Sequence, residues 1–396
     1  MSRVAVIGAG IGGLAAALAL LQRGLDVDVY EQAPELGEVG AGIQISPNGT
    51  RVLYALGLEE ALRGVEVLPS RRQIRHWSTG ETWDWFELGA TTRNRYGTPH
   101  VMLHRADLHG LLAGAVLRLK PDAVHLAKRC AGVTQSDGQA EVRLETGEKV
   151  SAAYVIGADG IHSKVRENLF GPDKPEFTGV VAWRAVVPMQ SLPSHLSQMI
   201  GTNWLGPKGH VLHYPIRRGE LMNYISLVER DDWQVESWTV AGTTSELAND
   251  YRGWHSDVHA IIRNIKTPFK WALMVRGPMQ GWSKGRVTLL GDACHPILPF
   301  LGQGGVMAIE DGYVVAACLA KYFSDPARAL ARYEDIRKER SSAVVRASHE
   351  NRSSVFSPAL ADKDAIAVEI AREWQQVRLR ERFEWLYAYD ATGVQI

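Results

Sequence analysis

The first thirty residues carry two apolar periodicities in succession. Val4–Ile7 is a short unbroken apolar run of strand length. Leu14, Leu18 and Leu21 then recur at helical spacing, and Val27–Tyr30 reads as a second strand. Gly8, Gly10 and Gly13 stand at the strand-to-helix turn, and Gly24 falls where the helix should stop. The pattern predicts strand, tight turn, helix, strand. It recurs downstream. Lys149–Ile156 reads as one strand that ends in Gly157-Ala158-Asp159-Gly160, with Asp159 or Ser163 placed to begin a helix. Val287–Leu290 reads as a buried strand ending at Gly291-Asp292. Gly302-Gln303-Gly304-Gly305 then precedes a helix of some fifteen residues, with Glu310 and Asp311 in its early turns. The stretch VMLHRADLHGLLAGAV predicts a short strand entering a helix at His104-Arg105-Ala106-Asp107, and a further helix begins at Asn48 or Gly49. Between them, Val180–Val187, Gly209–Tyr214 and Met222–Val228 read as strands of a separate β-rich layer.

Composition narrows the class. A chain of 396 residues holds two domains with sizeable cores. Lys plus Arg (44) balance Asp plus Glu (44), which argues against nucleic acid as a bulk electrostatic partner. No apolar run reaches the roughly 18 residues a membrane span needs. The opening apolar run is not read as a secretory signal, because its centre is Gly-rich and it returns to DVDVYE. Cys130, Cys294 and Cys318 form no metal spacing and fit buried thiols in a reducing cytoplasm. Seven of the tryptophans lie between Trp183 and Trp282, so the middle layer is expected to have an aromatic interior.

The glycine turn has a physical purpose. It permits close approach of backbone to a pyrophosphate, and the helix N-terminus behind it presents unpaired N–H groups. Glu31, eighteen residues after Gly13, is placed to accept hydrogen bonds from ribose hydroxyls. Arg105 at a helix start serves either a phosphate or ribose, or a surface pair with Asp107. Three strand ends, at Gly8–Gly13, Asp159-Gly160 and Gly291-Asp292, thus point to one extended dinucleotide.

With these stations in order, the chain resembles the single-component FAD-dependent aromatic hydroxylases of the para-hydroxybenzoate hydroxylase type. It is most similar to the salicylate hydroxylase, 3-hydroxybenzoate 6-hydroxylase and 6-hydroxynicotinate 3-monooxygenase branch. The motifs are the G-x-G-x-x-G with Glu31, GADGIHSKVR, GDACHP, PFLGQGGVMAIED, GEVGAGIQISPN, HRADL and a closing RFEWLYAYD. The resemblance implies that Glu31 and Arg105 hold the adenosine and pyrophosphate side of FAD. It places Asp159 where flavin and nicotinamide meet and Asp292 at the ribityl or ribose region. Gly302, Gly304 and Gly305 would offer the flavin ring backbone N–H groups, which stabilise negative charge on its pyrimidine edge. It further implies that His210 and Tyr214 contact the substrate, His210 as a proton acceptor. Residues four apart in a strand share a face, and His213 should point the other way. Arg184 and Arg217 are each either partners for a substrate carboxylate or surface arginines.

The implied architecture is α/β: a Rossmann-type FAD-binding domain (1–70, 101–177, 272–350), an inserted β-sheet substrate domain (71–100, 178–271) and a helical tail (351–396, helix over Ala361–Tyr389). The implied reaction is hydroxylation of a small phenolic or hydroxypyridine carboxylate by NADH or NADPH and O2 through a flavin hydroperoxide. That species needs a dry site, for which the Trp-rich layer is suited. A second nucleotide fingerprint is absent, so NAD(P)H binds transiently. A monomer or homodimer is expected. The sequence departs from its relatives at the substrate. Gln44 and Phe300 stand where the nicotinate enzyme has histidines, and Pro299 where the 3-hydroxybenzoate enzyme has glutamine, so no single relative's substrate transfers. Two alternatives stay open: an FAD/NAD(P)H oxidoreductase without oxygen insertion, and a non-catalytic flavin-binding redox sensor.

Overall fold

The computed structural model describes residues 3–37, 40–136, 138–233, 235, 240–362, 365, 368 and 383–396. Four sheets form among the described residues. The first has six strands in the order Ser283–Lys284, Val287–Leu289, Tyr154–Gly157, Arg3–Ile7, Asp26–Tyr30, Val124–His125. All neighbours pair in parallel except Ser283–Lys284. Its central strands are apolar almost without a break because both faces are covered. Helix Ile11–Gln22 is buried from Ile11 to Leu20. It packs against helix Gly304–Lys321 through glycines: a Cβ at Gly312 would lie 2.7 Å from Ala16 N, and one at Gly12 would lie 2.8 Å from Ala308 Cβ.

The second large sheet has seven strands: Phe269–Val275, Glu176–Pro188, Leu221–Glu229, Gly209–Ile216, Gly201–Gly206, Arg71–His76 and Thr82–Glu87. Gly201–Gly206 and Arg71–His76 run parallel, and the other neighbours are antiparallel. The period-2 alternation divides this sheet into two cores. Val181, Trp183, Trp204, Val211 and Tyr224 face helices Thr244–Asp250 and Ser256–Arg263, where Tyr251, Trp254 and Ile261 meet them. Val180, Ala182, Leu227 and Trp271 face Leu298, while Tyr214 and Ile216 face Val67 and Met102. The Trp-rich interior therefore lies mostly on the sheet face turned away from the nucleotide sheet. This corrects the expectation that it walls the reaction site.

Lys149–Ile156 is not one strand. Lys149–Ala152 pairs with Gln139–Leu144 in a three-stranded antiparallel sheet, and Tyr154–Gly157 joins the parallel sheet. The chain changes sheets at Ala153, whose N–H donates to Arg3 O at 2.8 Å. The expected tail helix over Ala361–Tyr389 lies largely outside the described residues. Those that follow are anchored. Phe383, Leu386 and Tyr387 are buried, with Phe383 and Tyr387 against the rings of Trp85, Phe86 and Tyr96. Arg340, from the long helix Pro326–Val355, donates to the carbonyls of Trp385 and Leu386. None of the described helices is long and apolar enough to cross a membrane.

Candidate cofactor cleft and active site

The parallel sheet brings the strand-end stations to one edge. Gly8–Gly13 follows Arg3–Ile7, Glu31 follows Asp26–Tyr30, Asp159 follows Tyr154–Gly157, and Gly291-Asp292 follows Val287–Leu289; these four strands are adjacent. Ligands of open α/β sheets lie outside such carboxyl ends. The three glycines of the first turn differ. Gly8 has φ +103°, and a Cβ there would meet Ala158 O at 2.5 Å. A Cβ on Gly13 would meet Gly8 O at 2.0 Å, whereas one on Gly10 would meet nothing within 4 Å. Gly8 and Gly13 close the turn; Gly10 is the open approach. His109 Nε2 donates to Ala9 O at 2.7 Å and fixes the turn from beneath. Glu31 accepts from Ala9 N (2.7 Å) and Ala33 N (2.8 Å), so its carboxylate also ties the turn to the second strand.

Asp159 caps the helix Lys164–Phe170. Its carboxylate accepts from Ser163 Oγ (2.5 Å), Lys164 N (2.7 Å) and Val165 N (3.2 Å). Burial pushes its pKa up, against these hydrogen bonds. Ser163 caps Arg166 N, so both expected helix starters act. Arg166 was not singled out from the sequence, yet it joins two stations: Nη1 donates to Ala293 O (3.0 Å) and Nη2 to Ile161 O (2.8 Å). Asp292 is different. Among the described residues its carboxylate makes no hydrogen bond or ion pair, and its side chain opens on the cleft. The surrounding walls raise its pKa, while His295 and Arg105 oppose the rise. Arg105 thus stands near Asp292. Asp107 accepts from Arg217 at 2.8 and 3.0 Å, so Arg217 has a partner within the chain.

Gly302 (φ +64°) and Gly304 leave the start of helix Gly304–Lys321 open, and Gln303 at the cap makes no capping bond. Among the described residues the first-turn N–H groups thus have neither an intrahelical nor a side-chain acceptor. Behind them lies a buried polar network. Asn48 Nδ2 donates to Glu310 (2.7 Å) and Gln303 Nε2 to Ser46 Oγ (3.0 Å). Arg337, fully buried, pairs with Glu310 (2.6 Å) and Asp311 (2.7 Å), and Asp311 pairs with His295 (2.5 Å) and accepts from Gly291 N (3.0 Å). Burial alone would raise the Asp311 pKa; His295 and Arg337 overcome it and hold it at about 2. One ion network therefore fixes both the Gly291-Asp292 turn and the Gly-rich loop.

The substrate candidates lie across from this loop. His210 and Tyr214 share the sheet face toward the nucleotide sheet, and His213 points away, accepting from Trp204 Nε1 at 3.1 Å. Strand Gly42–Ile45 is wedged between. A Cβ on Gly42 would lie 2.7 Å from the Tyr214 hydroxyl, and one on Gly305 would lie 3.0 Å from Ile43. Tyr214 is thus within a few residues' contact of the glycine loop. Burial, then Arg72, lowers the His210 pKa to about 4. Burial raises that of Tyr214, against Arg72 and Gln44. Arg72 donates through Nη2 to Gln44, and His100 Nε2 lies 3.2 Å from the same Gln44 oxygen. Among the described residues, four buried polar atoms around this face have no partner: Arg72 Nε, His100 Nδ1, Asn203 Oδ1 and His210 Nδ1. Arg72, His100 and Asn203 were not anticipated. Arg184 faces the same side and lies over Phe269 (5.9 Å) and Trp271 (5.5 Å).

The residues fit FAD: an open glycine turn for the pyrophosphate, an unpartnered carboxylate for a sugar hydroxyl, and an uncapped helix start for the ring. Fold and cleft define a flavoprotein of the oxygenase type. The FAD binding domain family matches residues 1–348, and the chain belongs to it, as an FAD-dependent monooxygenase. It is 38% identical to a 3-amino-4-hydroxybenzoate 2-monooxygenase of Streptomyces platensis, over 99% of this chain and 97% of that one. It is 37% identical to a 6-hydroxynicotinate 3-monooxygenase of Pseudomonas fluorescens, over 100% and 96%. Among solved structures, a salicylate hydroxylase substrate complex superposes with TM-score 0.80 at 27% identity, covering 98% of this chain and 96% of that one. HpxO of Klebsiella pneumoniae, complexed with FAD and uric acid, gives 0.82 at 27%, covering 98% and 95%.

Proposed function

We propose that this monooxygenase hydroxylates a small phenolic or hydroxypyridine carboxylate at the expense of NAD(P)H and O2, with the substrate held between the Gly302–Gly305 loop and the sheet face of His210 and Tyr214. The observation that carries this reading is the group of unpartnered buried polar atoms on that face, opposite an uncapped helix start. Buried polar atoms without partners are costly, and a polar ligand would satisfy them. Bound FAD supplies the electron transfer from NAD(P)H and the activation of O2.

The chain's own residues do the rest. Glu31 and the helix behind Gly10 hold the adenosine diphosphate side, with Arg105 beside Asp292. Asp292 accepts from a sugar hydroxyl. The first-turn N–H groups at Gly304 and Gly305 stabilise negative charge at the flavin ring. His210 is neutral at working pH and accepts the phenolic proton at Nδ1, which makes the ring carbon a better nucleophile toward activated oxygen. Tyr214 keeps its proton, so it acts as a hydrogen-bond donor. Leu205 and Leu227, opposite His210 on the neighbouring strands, help exclude water there. The 71–100 and 178–271 segments form the substrate-holding domain. The test is a panel of hydroxybenzoates, aminohydroxybenzoates and 6-hydroxynicotinate scored for stimulated NAD(P)H oxidation, with products identified by mass. A hydroxylated product is expected. Peroxide as the full product with every acid would leave the oxidoreductase reading, and bound FAD without stimulated oxidation would leave the redox sensor.

A further inference from the structure

We infer that Arg72 is the anion anchor of this site and binds the carboxylate of the aromatic acid; the inference rests on the substrate reading above. Arg72 lies on the near face of the large sheet. Its strand runs parallel to Gly201–Gly206, with Arg72 opposite Gly201. Thr202 pairs with His213, which sets Gly201 beside Tyr214. Gly201 has no side chain, and a Cβ there would lie 3.3 Å from Arg72 Cγ. Met102 Cε lies closer still, 3.0 Å from that position, so the bare glycine lets both Met102 and Arg72 pack against the strand beside Tyr214.

Among the described residues no carboxylate neutralises Arg72. Burial lowers its pKa, and the groups that oppose this are the phenols of Tyr387 and Tyr214. Nη2 reaches Gln44 and, at 3.4 Å, His100 Nε2. Among the described residues, Nε is buried with no partner and Nη1 makes no hydrogen bond. Several other sheltered arginines are neutralised. Arg75 pairs with Asp257, Arg166 and Arg276 with Asp173, and Arg337 and Arg340 with Glu310. An uncompensated sheltered cation is expensive. A guanidinium with free N–H groups matches a carboxylate in a planar, two-point fashion. The Trp85 ring, 5.6 Å from the guanidinium carbon, helps fix its plane. A carboxylate on Arg72 would direct the rest of the ring along the face toward Tyr214 and His210.

The experiment is calorimetric titration of the FAD-loaded protein with 3-hydroxybenzoate, salicylate and 6-hydroxynicotinate, each beside its carboxylate-free counterpart, phenol or 2-hydroxypyridine. Wild type should prefer at least one acid. Arg72→Met should weaken that acid by roughly 10- to 150-fold, the range of one charge-assisted interaction, and leave the counterpart nearly unchanged. Arg72→Lys should recover part of the loss, and thermal midpoint and flavin content establish that each variant folds. Equal weakening of acid and counterpart, or no weakening of the acid, overturns the anchor. So does transfer of the effect to Arg184→Met. A wild type that hydroxylates these acids while Arg72→Met binds them normally sinks the anchor alone. A wild type that binds none of them, or binds acid and counterpart alike, sinks the substrate reading with it.

Discussion

Replacement of His210 by Asn tests the proton-acceptor role quantitatively. The imidazole ordinarily titrates near 6.5, and burial with Arg72 nearby takes it to about 4. That gap corresponds to about 3 kcal/mol against the imidazolium. The folded pKa lies below the unfolded one, so the stabilisation of the neutral form is complete above about 6.5 and is lost as pH falls toward 4. His210 is therefore uncharged across the neutral range and, as a weak base, takes the proton only as the ring carbon is attacked and the phenol turns acidic. In kcat/KM, which reports the free enzyme, no acid limb near 6.5 should arise from His210; its limb belongs near 4. His210→Asn should lower substrate-dependent hydroxylation by roughly 10²- to 10⁴-fold, the contribution of one positioned acid or base. Its FAD content should stay at the wild-type level. The assay is the pH profile of product formation in both proteins, with flavin absorbance as the check on loading. A wild-type limb near 6.5 that vanishes in His210→Asn would refute the buried, neutral imidazole. Wild-type turnover in His210→Asn at every pH would refute the acceptor role itself.

Further outcomes follow from the cleft. Gly10→Ala should fold with an unchanged circular dichroism spectrum yet bind FAD more weakly, because its Cβ meets only open space; Gly13→Ala, with a Cβ 2.0 Å from Gly8 O, should lose the turn and yield little folded protein. Asp292→Asn should reduce FAD affinity, measured by fluorescence titration of the apoprotein, with little change in apoprotein thermal midpoint, since among the described residues the carboxylate accepts no hydrogen bond. Arg337→Met removes the cation shared by two buried carboxylates, leaving Glu310 to Arg340 and Asp311 to His295, and should cost up to about 3–5 kcal/mol, read as a depressed denaturation midpoint together with faster flavin loss; a midpoint matching wild type would dismiss the network as a brace.

The legible parts were local ones. The Ser163 cap and the strand ends can be read from the sequence because each shows in a run of a few residues, and the glycine turn and Glu31 because they stand at fixed places in one strand–turn–helix–strand unit. Their adjacency also followed, since strands of a parallel α/β sheet present their carboxyl ends on one edge. What was not legible depends on register across long sequence separations. Arg72 meets Tyr214 only because Arg71–His76 pairs in parallel with Gly201–Gly206 and Gly201 is bare. The tryptophans predicted an aromatic interior correctly, but a sheet has two faces and the count does not say which one the cofactor meets. The break at Ala153 was hidden because both halves of Lys149–Ile156 suit a strand. Arg217 could be assigned only once Asp107 was seen beside it.

The most direct test of the account is to run the reaction under isotopically labelled O2. The purified FAD-loaded protein is given NAD(P)H and whichever aromatic acid stimulates its oxidation, and product and peroxide are measured together. The account predicts a ring-hydroxylated acid carrying one labelled oxygen, formed in step with NAD(P)H consumed. Unlabelled acid recovered intact, with all of the NAD(P)H accounted for by peroxide across the whole panel of acids, would contradict it.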